Sequence, residues 1–453
     1  MLRRAAQRAP TIASIACPPA AGPARILRSC VSAAPFHPPA FLQLRTKQAF
    51  SGNWWGRGMC VEAAADEVRH AVTTFSENEE MMRESVRRFA TEVLAPKVAD
   101  MDRAEALDPA VLAACFDAGI MGIEAPEEYG GSGMGFTAAC LAVEEIARVD
   151  PSVAVMVDIQ NTLLITAFMR YGTPEQKTKY LTRMCTDTVA SFCLSEAGSG
   201  SDAFALKTSA KLDEATGEWV LDGTKAWISN SAEAGLFVVF ANADFTKSHR
   251  GITAFIIERS NPGLSVGKKE EKLGIRASST CEVRLEGCRV TADAVLGQVG
   301  DGYKMAIGLL NEGRIGIGAQ MIGLAIGAFD AAMPYLHQRK QFGQAIADFQ
   351  GMQFQYARAA AEIEGARVMV YNAARLKESG QPFVQEAAMA KLLATEVAQK
   401  VSSQCIDWVG GVGFTKGLPF EKFYRDSKIG TIYEGTSNIQ LATIAKGIQS
   451  KYK

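Results

Sequence analysis

The segment Trp219-Val220-Leu221-Asp222-Gly223-Thr224-Lys225-Ala226-Trp227-Ile228 lies where the hydrophobic period of the chain has become that of strands. Aromatic and β-branched residues flank an Asp-Gly pair, which supplies the positive φ of a primed turn, so the segment predicts a tight hairpin. Further strand candidates follow at 236–241, 251–257 and 281–285, punctuated by Asn261-Pro262-Gly263. Residues 189–300 therefore predict a compact antiparallel β domain, barrel-like in its closure.

On either side the period is helical. Ser76-Glu77-Asn78-Glu79 and Thr173-Pro174-Glu175-Gln176 have the form of capping boxes, in which a hydroxyl and a third-position Glu or Gln satisfy each other's backbone N–H groups. Residues 70–188 predict an N-terminal helical domain, interrupted by the turn-rich Pro126-Glu127-Glu128-Tyr129-Gly130-Gly131-Ser132-Gly133. After 301, Ala359, Ile363, Ala366, Val370 and Ala373 recur at alternating spacings of four and three, one stripe of a bundle helix. Ser379-Gly380-Gln381-Pro382 ends that helix, and Pro334 should kink or restart another. The expected fold is α+β: a helical domain, a β domain, then a four-helix bundle over 301–453.

Composition narrows the function. At 453 residues, 48% apolar, 21% charged and net charge −1, the chain has no electrostatic footprint for nucleic acid and reads as globular. No apolar run of membrane-spanning length is expected. Residues 1–60 differ: they hold seven Arg, with Ala, Ser and Pro, and no acidic residue precedes Glu62. That composition is a mitochondrial or plastid transit peptide. Ten scattered cysteines without C-x-x-C and four histidines give no metal-ligand spacing, so no metal site is expected.

Thr431-Ile432-Tyr433-Glu434-Gly435-Thr436-Ser437-Asn438 sets one carboxylate in an apolar run beside glycine. Burial would raise the basicity of Glu434, and Gly435 would let a ligand approach the backbone. Phe192-Cys193-Leu194-Ser195-Glu196-Ala197-Gly198-Ser199-Gly200-Ser201-Asp202 offers free N–H groups and hydroxyls to an electron-rich ligand, without the dinucleotide fingerprint. Trp227 and Ser229, two apart on a strand, can cover a flat ring and hydrogen-bond its edge. Asn311-Glu312-Gly313-Arg314 and Arg339 bring forked cations suited to anions. Asp407-Trp408-Val409-Gly410-Gly411 ends a helix in glycines that permit close approach.

In this order and spacing the segments resemble the acyl-CoA dehydrogenase family, over the chain from about residue 75 to its end. The resemblance implies FAD and an acyl-CoA substrate, with Glu434 as the general base that takes the α-proton. The Glu434 N–H would hold the thioester oxygen, and hydride would pass from the β-carbon to the flavin. Phe192, Cys193, Leu194, Ser195, Gly200 and Ser201 would line the flavin, with Ser201 also meeting substrate. Trp227, Ile228 and Ser229 would flank the ring. Arg339 and Gln350 would reach the cofactor across a dimer, closed by Asp407, Trp408, Val409, Gly410 and Gly411. Thr436, Ser437 and Asn438 would continue the cradle. Tyr303, Asn311, Glu312, Gly313, Arg314 and Gly435 match substrate positions, and His249 and Lys446 match CoA contacts.

Some members carry the base on the bundle helix, immediately before the arginine; here Gly313 stands there. Residues 311–317 and 405–408 point to short acyl groups with a 2-methyl branch, ahead of straight short-chain or isobutyryl-type substrates. The implied setting is a homotetramer, a dimer of dimers in the mitochondrial matrix, serving isoleucine and fatty-acid breakdown and passing electrons to electron-transfer flavoprotein. One departure is Gly417-Leu418-Pro419, where the second family signature begins with an acidic residue. An acyl-CoA oxidase is the alternative, but it usually carries a further helical domain for which 453 residues leave no room. A non-catalytic assembly factor of the same fold would have no use for Glu434.

Overall fold

The computed structural model describes residues 72–453; the transit-peptide expectation for 1–60 lies outside them. Eight helices come first: α1 (Glu77–Phe89), α2 (Val98–Ala104), α3 (Pro109–Asp117), α4 (Phe136–Ala147), α5 (Pro151–Asp158), α6 (Thr166–Tyr171), α7 (Pro174–Gln176) and α8 (Thr182–Thr186). Both capping boxes form, at Ser76 and at Thr173. Between α5 and α6 the chain stays helical but widens to π geometry over Ile159–Ile165. Buried side-chain amides support this wide turn: Asn161 bonds the Ile123 N–H and the Ile120 and Val157 carbonyls, and Gln160 bonds the Met184 and Thr188 carbonyls.

Next come β1 (Ala190–Cys193), β2 (Ser209–Asp213), β3 (Glu218–Ser229), β4 (Leu236–Asn242), β5 (Ile252–Glu258), β6 (Leu264–Lys269), β7 (Thr280–Val290) and β8 (Val295–Leu296). They form one sheet in the order β6-β7-β3-β2-β4-β5-β8, with β1 added on β4. The sheet is mixed rather than purely antiparallel, because β1 runs parallel to β4. On β4 every residue is buried. Leu236, Val238 and Phe240 join the main core, while Phe237, Val239 and Ala241 join a second core on the other face, as the period of two requires.

The expected hairpin at Asp222-Gly223 does not form. Residues 218–229 make a single strand, with a register shift between Leu221 and Gly223. The turn falls earlier, between β2 and β3 at Thr216-Gly217, where Gly217 has φ 73°. Gly223 instead allows close packing, since a Cβ there would lie 2.7 Å from Thr208 Cα. An Asp-Gly pair thus marks a bulge as readily as a turn when a neighbouring segment, here the residue before β2, presses on it.

The C-terminal part holds α9 (Gly302–Gln338), the short ribbon β9 (Lys340–Gln341) and β10 (Gln344–Ala345), then α10 (Gln350–Glu378), α11 (Val384–Val409), α12 (Phe420–Ser427) and α13 (Ser437–Tyr452). The five-residue stripe of α10 is buried. Helix α9 continues through Pro334 to Gln338 without restarting; so near the C-terminus, proline removes a bond from the last turns only. Two stretches, Pro151–Tyr171 and Gly302–Gln338, prove long and apolar enough to cross a membrane, against expectation. Their most apolar windows are 94% and 78% buried inside the protein, which is how core helices earn such composition.

Candidate functional site

A cavity of about 1120 Å³ opens where the β domain meets α5, α9 and the C-terminal turn. Its walls include Val155, Ile159 and Leu163 from α5 and the π turn, and Ile307, Leu310, Asn311, Arg314 and Ile317 from α9. The sheet side contributes Phe192, Leu194, Ser195, Gly200, Ser201, Trp227, Ile228 and Ser229. Tyr433, Glu434, Gly435, Thr436 and Lys446 close it from the C-terminus. Five cations, Lys272, Arg314, Arg425, Lys428 and Lys446, line it with a single carboxylate, Glu434; of these, Arg425 is already paired with Asp102 and Glu421. Among the described residues the cavity therefore suits an anionic ligand, with one carboxylate inside it.

Glu434 sits in the left-handed region at φ 49°, followed by Gly435 at φ 84°. The residue is partly buried, but its Oε2 is buried and has no hydrogen-bond partner among the described residues. A Cβ on Gly313 would lie 3.0 Å from that Oε2 and 3.0 Å from Leu163 Cδ2. The missing side chain of Gly313 is what makes room for the carboxylate. Burial pushes Glu434 up to about 7, while Arg314 and Lys391 pull the other way. Arg314 is itself lowered by burial, with Glu434 opposing, and its Nη1 donates to Asn311 Oδ1 at 2.8 Å. Among the described residues the Glu434 N–H donates to no partner. Its carbonyl accepts from Gln440 Nε2 at 2.9 Å.

The glycine-serine turn is anchored from beneath. Lys225 is fully buried and donates to the Leu194 carbonyl at 3.1 Å and to Glu196 Oε1 at 2.8 Å. Glu196 in turn accepts from the Lys207 and Thr208 N–H groups. Among the described residues a Cβ on Gly198 or Gly200 would meet nothing within 4 Å, and Gly200 lines the cavity, so this rim is an open cradle. Trp227 is 62% exposed, at φ 61°, inside a second bulge between Lys225 and Ile228. Trp227 and Ser229 both reach the cavity, through this bulge rather than through simple alternation.

Other expected residues lie elsewhere. Cys193 alternates away from Phe192 and Leu194 into the second core. Tyr303 and His249 pack beside the rim rather than lining it: ring centroids are 4.4 Å apart for the tilted His249–Tyr303 pair and 4.4 Å for the edge-to-face Tyr303–Phe204 pair, and Phe204 lines the cavity. Glu312 is buried and pairs with Arg170 and, at 3.3 Å, with Lys377, so its carboxylate belongs to a structural ion cluster. Gly313 borders the Glu434 carboxylate without lining the cavity. Ser437 and Asn438 open α13 behind Thr436, which caps that helix by accepting from the Ile439 N–H. Arg339, Gln350, Asp407, Gly410 and Gly411 are exposed and off the cavity, while Trp408 and Val409 are buried. The apolar walls on α5 and α9 carried no sequence signal, because cavity-facing Ile and Leu look like core residues.

Family models match along most of the described chain: the N-terminal domain of acyl-CoA dehydrogenase over 76–188, the middle domain over 191–288 and the C-terminal domain over 300–449. The chain belongs to the acyl-CoA dehydrogenase family. A probable short/branched chain specific acyl-CoA dehydrogenase of Dictyostelium discoideum is 56% identical over 84% of this chain and 92% of its own length. The mitochondrial short/branched chain specific acyl-CoA dehydrogenase of Rattus norvegicus is 53% identical over 84% of this chain and 87% of its own. Among solved structures, butyryl-CoA dehydrogenase from Megasphaera elsdenii superposes with a TM-score of 0.81 at 36% identity, covering 83% of this chain and 99% of that one. Family membership accounts for the helical, sheet and helical order described above.

Proposed function

We propose that the protein oxidises short, branched acyl-CoA thioesters, 2-methylbutyryl-CoA foremost, to trans-2-enoyl-CoA with bound FAD, and that Glu434 is the general base. The observation that carries this reading is the carboxylate of Glu434, without a hydrogen-bond partner among the described residues and the single acidic group in a cavity lined by apolar, hydroxyl and cationic side chains. A base held up to about 7 is matched to neutral pH, where it is both ionised enough and basic enough to take an α-proton. The unpartnered Glu434 N–H is a donor for the thioester oxygen, where charge develops as the proton leaves.

The residues present fit FAD. The open cradle at Gly198 and Gly200, the exposed Trp227 and the Ser195, Ser201 and Ser229 hydroxyls suit a flat ring with polar edges. Bound there, FAD would supply the acceptor for the hydride of the substrate β-carbon. Arg339, Gln350, Asp407, Trp408, Val409, Gly410 and Gly411 would hold the cofactor of a second subunit, in keeping with a homotetramer. Thr436, Ser437 and Asn438 would add donors at the start of α13. Lys446 and the His249–Tyr303 pair would meet CoA at the rim. The names of the relatives support a mitochondrial location, taken here as the matrix, with residues 1–60 as the transit peptide. The division into 70–188, 189–300 and 301–453, and electron-transfer flavoprotein as the acceptor, belong to the same proposal.

Anaerobic titration of the purified protein with 2-methylbutyryl-, isobutyryl-, butyryl- and hexanoyl-CoA tests the reading. The flavin absorbance should bleach most readily with the first. Glu434→Gln should keep flavin and bind acyl-CoA yet lose about 10²–10⁴-fold or more in turnover. Full turnover in that variant, or a colourless protein, would overturn the proposal.

A further inference from the structure

The turn that carries Glu434 is held from outside by a buried ammonium. Lys391 on α11 is 1% exposed. Its Nζ donates to the Gly435 carbonyl at 2.8 Å and to the Gly430 carbonyl, so one side chain ties together both ends of 430–435. Thr395, a turn further along α11, adds a 3.4 Å bond to the same Gly430 carbonyl. From α13, Gln440 Nε2 donates to the Glu434 and Gly435 carbonyls at 2.9 and 2.8 Å. Gly430 is wedged in place, since a Cβ there would lie 2.6 Å from Met321 Sδ.

Two features require such support. A glutamate in the left-handed region is costly, and the backbone relaxes unless its surroundings over-determine it. A buried ammonium is costly too, and is normally paired with a carboxylate. Among the described residues Lys391 makes no carboxylate pair; its partners are carbonyls. Its charge is therefore left to act on the base. We propose that Lys391 is a positioning residue for Glu434: it clamps the turn through the Gly430 and Gly435 carbonyls and supplies a fixed cation on the α11 side of the carboxylate.

Burial draws Lys391 down to about 8, with Glu434 raising it and Arg314 lowering it, so the ammonium persists at neutral pH. The groups that face Glu434 are Arg314 from α9, Lys391 from α11, Asp158 from α5 and the neighbouring Tyr433. Removing the Lys391 cation leaves Arg314 as the remaining positive charge and lets the base pKa rise.

The inference rests on Glu434 being the base, and its test separates the two. In the full-length holoenzyme, Lys391→Met and Lys391→Arg are compared with wild type by flavin content, by hydrogen exchange of the peptide spanning 428–441, and by the pH dependence of kcat/KM with 2-methylbutyryl-CoA. Lys391→Met should exchange at least about tenfold faster in that peptide, lose on the order of 10²-fold in kcat at neutral pH and show a higher pH midpoint. Lys391→Arg, which keeps charge and donors, should restore the wild-type midpoint. Unchanged exchange in Lys391→Met overturns the clamp. Faster exchange with an unmoved midpoint overturns the charge role, since loosening alone would do that. If Lys391→Met does not accumulate folded, Lys391→Gln, neutral but still a donor, is read by the pH midpoint, which should rise; an unmoved midpoint overturns the charge role. Should Glu434→Gln keep full turnover, the base assignment fails, whereas the exchange result still reports on the clamp.

Discussion

Gly313→Ala puts one methyl group where the structure leaves space for the base. The new Cβ would sit 3.0 Å from Glu434 Oε2 and 3.0 Å from Leu163 Cδ2, against an ordinary contact of about 3.5 Å. The carboxylate must retreat by about 0.5 Å. If a misplacement of about 1 Å costs about 10²-fold, half of that costs about tenfold in kcat. Stability should change little. Alanine gains about 0.5–1 kcal/mol over glycine in a helix, and this partly offsets an overpacking cost of about 1–3 kcal/mol, which movement into the open cavity relieves. The assay is steady-state turnover with 2-methylbutyryl-CoA, alongside flavin content and thermal melting. The expected variant is yellow, melts within a few degrees of wild type and turns over about tenfold more slowly. A wild-type kcat would refute the claim that Gly313 exists to admit the carboxylate. Loss of flavin or of folding would refute the local reading of its effect.

Other consequences follow from the same geometry. Because the folded protein raises Glu434 above the ordinary carboxylate range, to about 7, it favours the protonated form. The stability associated with that proton is complete below the unfolded pKa and is lost as pH rises through about 7. Glu434→Gln, neutral at every pH, should therefore gain in melting temperature relative to wild type between about pH 5 and pH 8; a constant difference would contradict the raised pKa. Lys422 is buried between Asp150 Oδ1 at 2.8 Å and Asp426 Oδ2 at 2.5 Å, and Asp426 Oδ1 also accepts from the Ile275 N–H. Lys422→Met should cost about 3–5 kcal/mol in denaturant unfolding, the scale for leaving buried charge uncompensated, and a loss under about 1 kcal/mol would show the cluster can neutralise itself.

Much of the molecule is readable from local chemistry. Both capping boxes, the α10 stripe and the stop at Ser379-Gly380 depend on residues within a few positions of one another, so the linear pattern carries them. Readings that hinge on distant partners behave differently. Asp222-Gly223 has the composition of a turn, yet Thr208 pressing on Gly223 makes it a bulge. Glu312 has the look of a site carboxylate, but Arg170 and Lys377 claim it from other helices. Ile159 and Leu163 are ordinary apolar residues until a π turn, held by Asn161 and Gln160, aims them at the cavity.

Glu434 shows both sides of this division. In the sequence, a carboxylate among Ile432, Tyr433 and Gly435 is a candidate only, and the other segments with the family resemblance are what give it a task. The bundle then sets its properties. Gly313 leaves its space, Arg314 and Lys391 set its field, and Lys391 with Gln440 ties down its backbone. A residue's type and near neighbours are written in the chain, so Glu434 could be picked out there as the candidate base. Its basicity and position depend on burial and charge from α5, α9, α11 and α13, which only folding brings within a few ångströms of one another.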